Sequence, residues 1–159
     1  MNPNRTLALF RLVLFVTTTC TEIRSPWAID SVCTASLHEL VAASIADTLR
    51  VPADHAVQLL CGPIYHSAQF VTSMAPLLTG ARLVMQHRFD AAEVLALVDR
   101  HRVTNAHLVP AQMVRLLRLD DPVREHFDGG SLRAVFHGAA PCPESVKRSM
   151  LDWWGPIVW

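Results

Sequence analysis

The chain has 159 residues, 51% of them apolar and 18% charged, which suits about one ordinary domain with a buried core and excludes a disordered segment. Fourteen basic and fourteen acidic side chains cancel, leaving no field to draw in a nucleic-acid backbone or an anionic membrane surface. No nucleic-acid partner is expected.

The longest apolar stretch, Leu7 to Val16, is interrupted by Arg11 and falls well short of the roughly 20 residues of a membrane span. Read as a secretory leader, the same stretch fails on Arg11 and on the lack of a small-x-small cleavage site in Thr17 to Arg24. Cys20, Cys33, Cys61 and Cys142 are widely spaced with no CxxC pair, which fits reduced thiols and a cytoplasmic location.

All six glycines lie beyond residue 61, which separates a divergent segment, 1–51, from a second part, 52–159. Near the end of the first segment, Ser36 and Glu39 form a capping box that predicts a helix over 36–50. Leu37, Val41, Ile45 and Leu49 would give it one buried stripe.

Beyond Pro52, short apolar runs alternate with helical segments. The runs are Val57–Cys61, Ala81–Met85, Asn105–Val109, Leu132–Phe136 and Ile157–Trp159, and their starts are separated by 24, 24, 27 and 25 residues. That spacing accommodates a strand, a crossover helix and two short loops. In the helix between the second and third runs, Asp90 and Glu93 make a capping box and Phe89 can staple onto Val94. Arg100, His101 and Arg102 then meet the negative end of its dipole. The last helix has Pro143 at its start, with Gly155 and Pro156 after its end. The predicted fold is α/β, a mostly parallel sheet of about five strands with crossover helices.

In open parallel sheets, ligands bind where the carboxyl ends of strands meet helix amino termini. The rule selects Gly62-Pro63-Ile64-Tyr65-His66-Ser67 after the first run, Pro110-Ala111-Gln112 after the third, and His137-Gly138-Ala139-Ala140-Pro141 after the fourth. Small residues in the last turn let backbone approach a flat or extended ligand, and also suit a turn needed only for packing. His66 and His137 could bond a substrate or be partnered structurally.

Five segments resemble the AMP-forming acyl-CoA synthetases, or fatty-acid–CoA ligases, of the adenylate-forming superfamily: GPIYHSA from Gly62, LLTGARLVM from Leu77, RFDAAEVLALVDRHRVT from Arg88, LVPAQMVRLL from Leu108 and LRAVFHGAAPCPESVKRSMLDWWGP from Leu132. Together they span nearly all of residues 52–159, read as part of an AMP-binding domain. The resemblance implies two-step chemistry, in which a carboxylate attacks ATP to form an acyl-adenylate and coenzyme A then displaces AMP. It implies ATP, coenzyme A and magnesium as cofactors and a carboxylic, often fatty, acid as substrate. By the same resemblance Tyr65, His66, Ser67 and His137 lie at the substrate, while Gly138, Ala139, Ala140 and Pro141 lie against the nucleotide. Ala139 stands where relatives often have a second glycine, and its methyl group is expected to reduce room.

Other family features are missing from these residues. Relatives carry a glycine-rich phosphate loop upstream, but no glycine precedes Gly62, and Thr17 to Pro26 keeps threonines beside Glu22. The tyrosine-glycine-x-threonine-glutamate motif, the ribose-binding aspartate and the domain bearing the adenylation lysine are not found either. The expectation is a truncated synthetase, inactive alone, without catalytic residues of its own.

Two other classes compete. Cys142 precedes a helix start and follows His137 closely, the arrangement of a cysteine hydrolase. A zinc hydrolase fails because His38-Glu39 is followed by Ala42 where HExxH needs its second histidine. A non-catalytic interaction module is the alternative from another class. Its sheet edges and a terminal cluster of Trp153, Trp154, Ile157, Val158 and Trp159 are expected to be exposed and to drive self-association.

Overall fold

The computed structural model describes residues 37–52 and 54–159. The Leu7–Val16 stretch, the Thr17–Pro26 segment and the Ser36–Glu39 capping box lie, wholly or in their side chains, outside the described residues.

The helices are α1 Leu37–Thr48, α2 Ser67–Leu78, α3 Ala91–His101, α4 Pro110–Leu117, α5 Asp121–Glu125 and α6 Glu144–Trp154. The strands are β1 Val57–Leu60, β2 Arg82–Met85, β3 Asn105–Leu108 and β4 Ala134–His137. All pair in parallel, in the order β2-β1-β3-β4. The fifth apolar run joins beyond β4 as an isolated parallel bridge between Val135 and Val158. There the Val135 amide donates to the Ile157 carbonyl and the Trp159 amide to the Val135 carbonyl, each at 2.8 Å. The α/β architecture with crossover helices is as expected from the run spacing.

Strand pleating divides the sheet into two unlike faces. Val57, Leu59, Val84, Ala106, Leu108 and Val135 share one face and pack with Val94, Val98, Met113, Leu116 and Met150 of α3, α4 and α6 in the main core. Gln58, Asn105 and His107 lie on the opposite face, all buried. That second face is roofed by α1 and α2: Asn105 Nδ2 donates to the carbonyl of Leu49 at 3.0 Å, just past α1, and His107 meets Gln69 of α2. Asn105 and His107 can be buried there because the helical side brings a hydrogen-bond partner to each, although Asn105 Oδ1 stays without one.

In α1 the stripe expected through Val41 is corrected. Ala42 and Ala46 are buried, whereas Val41 is 49% exposed. Helix α1 lies against α2, and methyl side chains allow a closer approach than a valine–isoleucine ridge would. Helix α2 is itself turned unusually, burying Gln69, Thr72, Ser73, Ala75 and Pro76 while Phe70, Val71, Leu77 and Leu78 face outward.

Helix α3 is capped as its sequence predicts, with Asp90 Oδ1 accepting from the Glu93 amide at 2.9 Å. The reciprocal half of the box is absent, because the Glu93 carboxylate takes Gln86 Nε2 at 2.7 Å instead. Helix α6 follows Pro143 and ends at Gly155, whose φ of 79° turns the chain back toward β4. The exposed terminal cluster is also corrected. Val158 is buried, and Trp153, Trp154 and Ile157 pack against the core, since the bridge to β4 draws them inward; Trp159 alone of the five is exposed. Its ring is covered in part by the Arg50 guanidinium, 3.6 Å from the ring centroid.

Candidate functional site

Parallel pairing brings the carboxyl ends of β1, β3 and β4 to one edge of the sheet, and the three loops chosen from the sequence leave from that edge. Between them lies a cleft of about 380 Å³ lined by Gly62, Pro63, His66, Ser67, Ala68, Gln69, His107, Val109, Gln112 and Ala139. Larger hollows lie elsewhere. One of about 440 Å³ sits between α3 and α5, and one of about 490 Å³ gathers Arg82, Arg100 and Arg102 at the amino ends of β1 and β2. The cleft is the candidate because it stands where an open parallel sheet presents helix amino termini and loop backbone to a ligand.

His66, Ser67 and Ala139, drawn from loops far apart in sequence, meet across this cleft. Tyr65 does not line it; the ring is 81% exposed, stacked obliquely beside His66 with centroids 4.7 Å apart. Gly138 does not line it, but lies beside His107: a Cβ added there would be 3.5 Å from His107 Nε2. Ala140 and Pro141 are exposed outside it.

His137 does not line the cleft either. It pairs in register with Leu108, so the pleat directs it to the face opposite His107. There its Nδ1 is buried without a partner, and desolvation, followed by the nearby Lys147 charge, holds its pKa below 6.5.

Ala139 has φ of 65°, in the left-handed region. Alanine here therefore carries a cost in backbone torsion, beside the methyl group it adds to the cleft lining.

Two cleft residues, Gln69 and His107, escaped the sequence reading, and a third, Gln112, was placed only in a candidate loop without a role. Gln112 Nε2 donates to the Cys61 carbonyl at 2.9 Å, and its Oε1 accepts from the Val109 amide at 2.9 Å, so one side chain ties the end of β1 to the start of α4. Gln69 Nε2 contacts His107 Nδ1 at 3.2 Å and the His107 carbonyl at 3.4 Å. Burial lowers the pKa of His107 from 6.5, with a further push from His137. Polar residues at 105 and 107, two apart inside a central strand, were the available signal, since alternation puts both on one face.

Gly62 permits this arrangement. A Cβ there would come within 2.8 Å of Gln69 Nε2 and 2.9 Å of its amide carbon, closer than real contacts allow.

The cleft is neutral and small-walled, which suits a planar or extended organic ligand held by a few polar groups. No three His, Cys, Asp or Glu side chains gather as metal ligands among the described residues. Cys142, the nucleophile of the hydrolase alternative, directs its thiol to the Pro143 carbonyl at 3.7 Å and makes no hydrogen bond to His137. Burial pushes the Cys61 thiol up to about 12, which leaves it inert as a nucleophile. Among the described residues no helix is long and apolar enough to cross a membrane.

Comparison with known proteins agrees with the sheet and its loops. The chain is 36% identical over 95 residues to 4-coumarate–CoA ligase 1 of Oryza sativa subsp. japonica, a stretch covering 58% of this chain and 16% of that protein. It is 32% identical over 100 residues to the medium/long-chain-fatty-acid–CoA ligase FadD8 of Mycobacterium tuberculosis, covering 62% of this chain and 17% of the relative. The matched stretch is thus about a sixth of each relative's length.

Among solved structures, ATP-bound MatB from Rhodopseudomonas palustris superposes with a TM-score of 0.65 at 26% identity, over 76% of this chain and 24% of that one. The N-terminal domain of FACL13 from Mycobacterium tuberculosis gives 0.61 at 26% identity, over 70% and 27%. The family described as AMP-binding enzyme matches residues 32–159, four fifths of the sequence, and the chain belongs to that family.

Proposed function

We propose that these residues form the acid-and-nucleotide cradle of an AMP-forming acyl-CoA synthetase, an enzyme that joins a carboxylic acid to coenzyme A through an acyl-adenylate. The observation that carries the reading is the meeting of His66 and Ser67 with Ala139 across one cleft at the carboxyl edge of the sheet. In this reading His66 orients the acid carboxylate, Ser67 and Ala68 bound the acid, and the Gly138–Ala139 turn lets adenine approach backbone. Tyr65 and Pro141 flank the entrance. His137, on the other face, supports the turn from behind.

Adenylation depends on charge stabilisation of the transferring group by cations and oriented amides. ATP is the nucleotide the family membership points to, with magnesium and coenzyme A as the further reactants of the complete reaction. The 159 residues include neither a glycine-rich phosphate loop nor a gathered set of metal ligands among those described. We therefore expect binding without turnover from these residues alone.

The test is equilibrium binding of a non-hydrolysable acyl-adenylate mimic in which a sulfamate replaces the phosphate. Saturable binding that His66→Ala weakens about tenfold, a loss of roughly 1.4 kcal/mol, supports the reading. Absence of saturable binding at millimolar mimic would remove it. Pyrophosphate exchange into ATP should stay at background.

A second reading, an association surface, is favoured by the outward turn of α2. Phe70, Val71, Leu77 and Leu78, with Met85 on the edge strand, are between 42% and 65% exposed. The occupant proposed is a second copy of this chain, because a net charge of zero leaves no long-range repulsion between copies.

A further inference from the structure

The cleft holds a ring nitrogen whose protonation state the surrounding structure decides and to which no described residue makes a hydrogen bond. It belongs to His107, a residue 5% exposed on the polar face of β3.

The tautomer follows from Gln69. Its side-chain nitrogen lies 3.4 Å from the His107 backbone carbonyl, a group that can only accept, so the atom facing it must carry hydrogens. The same nitrogen lies 3.2 Å from His107 Nδ1. This orientation leaves Gln69 Oε1 buried without a partner, but exchanging nitrogen and oxygen would set oxygen against oxygen at the carbonyl; the carbonyl decides the orientation, so Nδ1 is the acceptor. A neutral imidazole that accepts at Nδ1 carries its proton on Nε2. Burial keeps the ring neutral by disfavouring the charged form.

Nε2 is the atom turned toward the base of the His137–Pro141 turn: a Cβ on Gly138 would meet it at 3.5 Å. Glycine at 138 therefore leaves a path to this donor. The cleft wall mixes Pro63, Ala68, Val109 and Ala139, which offer no side-chain donor, with His66 and Ser67, while the amides of Gln69 and Gln112 are already engaged with the backbone.

We infer that His107 is a substrate-contacting residue, whose Nε2–H donates to an acceptor oxygen of the organic acid bound in the cleft, with Gln69 as the positioning residue that holds the tautomer. The inference rests on the acid-binding reading above and deepens it by naming the contact. The oxygen has two sources, the carboxylate itself or a hydroxyl substituent on the acid, and both present the same acceptor chemistry.

The experiment uses the 159-residue chain with nitrogen-15 in its histidines and observes the His107 ring by long-range proton–nitrogen NMR. In the free protein the Nε2–H tautomer should dominate, and Gln69→Met should turn it into a mixture. Adding cinnamate or 4-coumarate should move the His107 Nε2 resonance. Movement with both acids assigns the contact to the carboxylate, and movement with 4-coumarate alone assigns it to the hydroxyl. Losing this hydrogen bond should weaken binding of the responsive acid about tenfold or more in His107→Leu, while His107→Gln, which keeps an N–H near the Nε2 position, restores most of it.

An Nδ1–H tautomer in the free protein would overturn the inference. So would acids that bind without moving His107 and bind His107→Leu equally well, an outcome that leaves the acid-binding reading standing. Should neither acid nor the sulfamate mimic bind, the acid-binding reading falls first and the contact falls with it.

Discussion

Ala139 holds a backbone conformation, φ 65°, that costs an L-residue about 1–2 kcal/mol relative to glycine. Ala139→Gly should therefore stabilise the fold by about 1 kcal/mol, even after the added flexibility of the unfolded chain. Urea or thermal melts would read this as a higher midpoint. Gly62→Ala should act the other way. Its Cβ would strike the Gln69 amide at 2.8 Å, so a loss of about 1–3 kcal/mol is expected, together with a weakened Gln69–His107 contact.

The two histidines give a signed pH effect. Desolvation lowers both pKa values, with His137 adding to the shift of His107 and Lys147 to that of His137. The unfolded chain therefore takes up protons from about pH 6.5 downward, before the folded one does. Stability is full above that pH and falls as the solution is acidified toward the depressed folded values. Urea midpoints measured from about pH 8 to about pH 5.5 should decline, and a His107→Gln, His137→Gln double variant should flatten the decline.

At the scale of elements, two helix ends illustrate how much one residue decides. Asp90 caps α3 through the Glu93 amide, and Asp90→Ala should cost about 1 kcal/mol, measurable in the urea midpoint. Gly155, at φ 79° and ψ −168°, sits in a region open essentially to glycine. Gly155→Ala should misdirect the chain after α6 and loosen the Val135–Val158 bridge. Faster hydrogen exchange at the Trp159 amide, which donates to Val135 at 2.8 Å, is the expected sign. Unchanged protection there would show that the bridge does not depend on this turn.

For the molecule as a whole, the sheet has an apolar face, filled by α3, α4 and α6, and a polar face roofed by α1 and α2. Since α2 spends its small and polar side on the sheet, its apolar side is left outward. Concentration-dependent association is the expected consequence, and sedimentation velocity of Phe70→Glu, Leu78→Lys should restore a monomer. A wild-type chain that stays monomeric at high concentration would remove the association reading.

Composition and run spacing alone determined the α/β class, the parallel crossovers and the loops at the carboxyl edge, because those features depend on periodicity and on caps such as Asp90 that act over a few residues. The likeness of GPIYHSA and HGAAP to the adenylate-forming enzymes was legible too, as a resemblance of short contiguous motifs. Only the tertiary structure decided which side chains share the cleft. Pleating sends His137 to one face and His107 to the other, and the register that sets this arises between strands distant in sequence. It also decided that Ala42 rather than Val41 is buried in α1 and that Val158 is covered rather than exposed, since each depends on a partner element that no local pattern encodes.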